Sequence, residues 1–182
     1  MYKKVKPINS FIMDTQNTNT EVCSFVAAEQ FLAEWNGHRR VTRRVIDAFP
    51  EDKLFTYSIG GMRTFAEMVK EIIDISGPGV RGIATDNWKN TGGFDKHTLD
   101  PENQTKAFLL ALFDEGTEEI NTYFNQITEE RFQETVLAFG SYEGQVFSTL
   151  LYLKDNEIHH RAQGTVYLRS LGIEPPAFYD RS

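Results

Sequence analysis

Apolar residues recur at three- and four-residue steps in four long stretches of this chain, the period of a helix with one buried face. From Phe25 to Phe49 the positions Phe31, Trp35, His38, Thr42, Val45 and Phe49 share one line, which predicts a first helix capped by Ser24 and stopped by Pro50. Glu51 to Met62 reads as a loop, because Ser58, Gly60 and Gly61 break the pattern. A second helix is predicted from Thr64 to Ile75 on Phe65, Met68, Val69, Ile72 and Ile75, with Ser76-Gly77-Pro78-Gly79 as its stop. From Val80 to Leu99 Gly, Asn, Thr and Asp dominate; a connection beyond about 12 to 15 residues suggests function, such as a lid.

Asp100 as cap and Pro101 as first helical residue open a third helix that reaches Ile127 through Phe108, Leu109, Leu112, Phe113, Ile120 and Phe124. Thr128 to Gln145 is mixed: a helical turn at 129–132, an extended piece at 136–139 and a tight turn over Gly140 to Gly144. A fourth helix runs from Val146 to Leu171 and closes at Gly172, ahead of Pro175 and Pro176. Four long helices without a convincing sheet predict an all-α four-helix bundle over residues 23–182. Residues 1–22 are expected to form a polar tail, since Thr15 to Thr20 is almost all Thr, Asn and Gln.

Composition narrows the partners. At 182 residues the chain is long enough to bury one core without disulfides, and its single Cys23 has no internal mate. No apolar run approaches the roughly 18 residues of a membrane span, so a soluble, cytoplasmic protein with no membrane partner is expected. The net charge of −7 argues against nucleic acid. Arg39, Arg40, Arg43 and Arg44 are the contrary feature, and such a run is more often a solvated face or one paired with Asp and Glu. Gly77 to Gly82 spells the dinucleotide fingerprint, but it follows a predicted helix where the chemistry needs a strand, so it is a chance match.

The candidate chemistry lies inside the helices. On the fourth, Asn156 and His160 share a seam with Leu153, Tyr167 and Leu171, and buried polar groups of this kind need partners. His38 lies on the inner line of the first helix and Glu71 at the margin of the second helix's apolar arc. Pointed at one cleft, Glu71, Asn156, His160 and His38 would offer a divalent metal a site. The alternative is that both histidines are hydrogen-bonded core residues and Glu71 a border residue paired with Arg or Lys. Phe147, Leu151, Ile158 and Ala162 make a second apolar stripe on the fourth helix, which suggests that a second subunit covers it.

The run Asn156-Glu157-Ile158-His159-His160-Arg161-Ala162-Gln163, followed by Val166-Tyr167-Leu168-Arg169 and Leu171-Gly172, resembles the last-helix signature of the DinB/YfiT-like superfamily. Met62 to Met68 resembles that family's second-helix opening, and Trp35, Arg39, Thr42 and Pro50 its first helix and exit. The resemblance implies a bundle, commonly dimeric, with a divalent metal held by three histidines, one on the second helix and two at i, i+4 on the last. Carried onto this chain, those positions are Glu71, Asn156 and His160, so one histidine of three is kept; His159 lies about 100° off the seam. An oxygen-rich set of this kind moves preference away from zinc and nickel toward harder ions, and His38 would complete two histidines and a carboxylate for iron, manganese or zinc.

Two readings follow. One is a metal-dependent hydrolase or thiol S-transferase, with the ion activating water or a thiol. The other is a metal-free dimeric ligand-binding or stress-response module whose cleft takes a small molecule.

Overall fold

The first apolar stripe winds into α1, Ala28–Ala48, and Pro50, which has no N–H to give, follows its end. The structure is a computed structural model that describes residues 26–89 and 99–182. The expected tail at 1–22, Cys23, the Ser24 cap and Phe25 lie outside the described residues. The helix begins at Ala28, where the Gln30 side chain accepts the Ala27 N–H at 3.0 Å. A single helical turn, α2, Glu51–Leu54, stands where a loop was expected, and it inserts Leu54 fully into the core.

The second predicted helix becomes α3, Phe65–Thr85. Thr64 and Glu67 close its start reciprocally: the Thr64 hydroxyl accepts the Glu67 N–H at 3.3 Å, and the Glu67 carboxylate accepts the Thr64 N–H at 2.7 Å. The expected stop at Ser76 to Gly79 is wrong, because the helix passes through Pro78 and ends at Asp86, whose φ is 55°. Glycine here serves close approach. A Cβ on Gly77 would meet the Glu119 carboxylate, one on Gly79 would stand 2.8 Å from Leu153, and one on Gly82 would enter the Trp88 ring. The fingerprint-like glycines are therefore interior to a helix, and most of the expected 80–99 connection is helix or lies outside the described residues.

Asp100 and Pro101 open only a 3-10 turn at Pro101–Asn103, and the long helix α4, Lys106–Phe124, is capped by Thr105, whose hydroxyl accepts the Phe108 N–H at 3.2 Å. The helix thus starts later and stops earlier than the spacing suggested. Residues 128–145 resolve into a 3-10 turn at Arg131–Gln133 and a hairpin, β1 (Thr135–Ala138) antiparallel to β2 (Tyr142–Gln145), with Val136 opposite Gly144. Its short strands were too brief to announce a sheet. Helix α5, Val146–Ser170, matches expectation, and Gly172 leaves it at φ 77°.

Helix α3 packs against α4 and α5, and α1 packs against the same pair, so α1 and α3 face each other diagonally. One apolar cluster gathers Val45, Phe49, Phe65, Ile72, Phe113 and Tyr167; a second gathers Trp35, Ile75, Ile83, Phe124, Leu150 and Leu153. Between them, by position along α1 and α5, run His38, Arg39, Thr42, Glu157, His160 and Arg161, all buried. After Gly172 the chain returns along α1. Arg40 donates to the Arg181 carbonyl at 2.9 Å, Arg44 donates to the carbonyls of Asp180 and Ser182, and Arg181 pairs with Glu34. Arg43 grips Asp114 with two bonds of 2.8 and 2.9 Å. The arginine run is thus used within the molecule. Among the described residues no helix is long and apolar enough to cross a membrane.

Candidate functional site

The capped start of α3 and the buried Tyr167 fix where Arg63 stands, since the Tyr167 hydroxyl donates to the Arg63 carbonyl at 2.9 Å. From there Arg63 reaches two turns down α3 to Glu71, its Nη2 lying 2.6 Å from Oε2. The other oxygen, Oε1, accepts from Asn156 Nδ2 at 2.9 Å and faces His160 Nε2 at 3.1 Å. The far side of the His160 ring meets the Gln163 carbonyl oxygen at 2.8 Å, and the Gln163 amide reaches His159 at 3.3 Å. Both ring nitrogens of His160 thus face a side-chain oxygen. The His160 hydrogen bond, with those of Asn156 and Arg63, holds the Glu71 carboxyl far below the usual carboxylate range, against the opposing effect of burial.

Glu71, Asn156 and His160 therefore meet, as the sequence suggested. His38 does not join them: its Nδ1 faces Arg161 Nη2 at 3.0 Å and its carbonyl accepts from Arg161 Nη1 at 3.1 Å. His159 is exposed. Glu71 is the half-buried border carboxylate paired with arginine.

A divalent ion needs free carboxylate oxygens and imidazole lone pairs. Here a guanidinium 2.6 Å from Glu71 already supplies the positive charge, and every polar side-chain atom of Glu71 and His160 has a protein partner. Among the described residues no three of His, Cys, Asp and Glu are grouped to hold a metal. The donor set does not fit the ion. One atom is left over: Asn156 Oδ1 is buried without a hydrogen-bond partner.

Sequence reasoning missed the deeper polar group beside it. Glu157, fully buried, accepts from Trp35 Nε1 at 3.0 Å and from the Thr42 hydroxyl at 2.6 Å, with Arg39 Nη1 at 3.5 Å. Arg39 also donates to Thr117 and to the Phe113 carbonyl, and it lies 3.5 Å over the Phe113 ring. The signal was present: Trp35, Arg39 and Thr42 repeat at helical steps, as do Leu150, Leu153, Glu157, Arg161, Gly164 and Leu168.

Burial, then the charges of Arg161, Arg181 and Lys154, push the His38 pKa down to about 4, with Glu34 opposing. The folded value lies below the unfolded 6.5, so the unfolded chain binds the proton first. Stability is full above pH 6.5 and falls as pH drops toward 4, by at most about 3 kcal/mol. Urea unfolding at pH 7, 6, 5 and 4 reads this slope. His38→Gln should flatten it above pH 4.5, and an unchanged slope in that variant would assign it to other groups.

The molecule is thus a mostly helical bundle with one short hairpin and a polar cluster between α3 and α5. The chain belongs to the DinB family, whose family model matches residues 13–182. Among solved structures, the DinB-like protein YjoA from Bacillus subtilis is 22% identical, with a TM-score of 0.64 over 82% of this chain and 97% of that one. A DinB-like protein from Bacillus cereus is 20% identical, with a TM-score of 0.62 over 83% of this chain and 97% of that one. Both likenesses bear on the fold alone. No curated protein matches the chain.

Proposed function

We propose that this DinB-family bundle is a small-molecule-binding module that works without a metal ion, its recognition point being the cluster of Arg63, Glu71, Asn156 and His160. The observation that carries the reading is the ion pair of Arg63 with Glu71 at 2.6 Å, a side-chain cation where a metal reading needs an open carboxylate. Arg63 is also 42% exposed, leaving donors for a ligand's acceptor. The hydrolase or S-transferase reading requires an ion to displace the Arg63 guanidinium from Glu71. The proposed homodimer draws support from the part of the second α5 stripe beyond Leu151, where Ala162 is exposed and Ile158 half-buried.

Elemental analysis of purified protein should find no stoichiometric zinc, nickel, manganese or iron, and chelator should leave the melting temperature unchanged. A bound ion at one per chain, lost on His160→Ala, would replace this reading with the metal-dependent one. Light scattering on the same sample should give twice the 20.9 kDa chain mass, and a single-chain mass ends the dimer part.

A further inference from the structure

At the end of the bundle opposite Arg63, the start of α1, the end of α4 and the start of α5 border a half-open chamber of about 630 Å³. That is within the size range of small-molecule sites, about 300–1,000 Å³. Phe31, Phe124, Phe132 and Phe147 wall it, and the buried Leu150 also lines it. Phe31 stacks on Phe124 with centroids 5.8 Å apart, and Phe124 meets Phe132 at 5.9 Å, so three of the rings hold one another in place.

The charges around this chamber are unequal in their commitments. Glu129 and Gln133 lie at exposed positions, and the exposed Glu34 is already paired with Arg181. Lys154 is half-buried, its Nζ 4.7 Å from the Phe31 ring centroid, and no hydrogen bond or ion pair with the described residues engages it. An ammonium drawn onto an aromatic wall has lost part of its water, and a carboxylate is the group that best restores what it lost. A neutral guest would leave that charge unanswered, and the carboxylate of Glu129, exposed to water at the rim, opposes an anionic head only weakly.

We propose that this chamber binds an apolar carboxylate, an alkanoate or arylalkanoate, with its hydrocarbon body among the phenylalanines and its head on Lys154. The site is separate from the Arg63 cluster, and the inference does not depend on that cluster's reading. Burial of its methylenes lets the apolar body supply affinity, and the lysine supplies selection for the acid.

Titration calorimetry of the full chain with decanoate and decan-1-ol, both kept below micelle formation, tests it. Decanoate should bind at one per chain and about 10-fold more tightly than the alcohol. Lys154→Met should remove that difference while leaving alcohol binding intact, and Leu150→Trp should block both probes. Equal binding of acid and alcohol, or a preference that survives Lys154→Met, overturns the proposal. So does the absence of saturable binding by either probe, the result if a second copy already fills the space. Lys154 is only half-buried, so its variant is expected to fold and keeps the test decisive if Leu150→Trp does not.

Discussion

Glu157→Ala should lower the stability of the fold by about 3–5 kcal/mol, a large share of the 5–15 kcal/mol a domain typically has. Glu157 is fully buried between Arg39, which is 2% exposed, and Arg161, which is 5% exposed. Truncation strands the Arg39 charge in the interior and leaves the Trp35 N–H without an acceptor. Arg161, whose own hydrogen bonds go to His38 and Thr42, loses the nearest negative charge opposing its burial. For a chain of this length the loss corresponds to roughly 2–4 °C in melting temperature per kcal/mol. Glu157→Gln keeps the shape and a hydrogen-bond acceptor for Trp35, so it should cost less. Replacing Arg39 by Met together with Glu157 by Leu should recover only the part of the loss that the stranded Arg39 causes, because Arg161 stays charged and buried and the Trp35 N–H stays without its acceptor. Urea unfolding of the three variants measures this. A Glu157→Ala loss below about 1 kcal/mol would mean that water reaches the network and that its burial is overstated.

Gly164→Val should cost at least about 3 kcal/mol, against the direction that helix propensity alone would give for removing a glycine. Gly164 lies inside α5, where alanine is favoured over glycine by roughly 1 kcal/mol. Packing reverses the sign. A Cβ at this position would run into the Phe65 ring, which is fully buried and stacked on Phe49 at 4.6 Å. The ring has no free space to enter, so α3 and α5 must separate or Phe65 must leave its rotamer. Gly164→Ala should show the smaller overpacking loss of about 1–3 kcal/mol, and Phe65→Leu should relieve part of it in the double variant. Thermal melts of the set decide the matter; a Gly164→Ala variant as stable as the parent would show that the helices yield more easily than the contact implies.

The four long helices were legible because each buries one face against others, and that face writes itself into the spacing of Phe, Leu, Ile and Val. The end of α3 was not. Gly77, Pro78 and Gly79 carry the same letters whether the chain stops or a neighbour presses close, and only the positions of Glu119, Leu153 and Trp88 tell these apart. Asp100 and Pro101 misled in a similar way, since a 3-10 turn uses the same opening residues as a helix. At the site, the meeting of Glu71, Asn156 and His160 followed from one register on two helices. The role of Arg63 did not, because it lies in the segment just before α3 and its reach depends on Tyr167 holding its carbonyl. His38 shares the apolar line of α1 but turns toward Arg161, a partner that the i, i+4 pattern of α5 places one residue past His160. Spacing gives the face of a helix, not which neighbour a polar group on that face selects.

The belt of charge between the two apolar clusters has a consequence for how the helices are set lengthwise. Leucine and phenylalanine pack acceptably after a slip of one turn, about 5.4 Å, so greasy layers alone allow a bundle to creep. Such a slip of α5 along α1 would carry Glu157 past Trp35, Arg39 and Thr42 together and set an ion against hydrocarbon. The belt acts as a notch that admits one alignment of the two rods, and every group hung on them, Asn156 and His160 included, inherits its height from that notch.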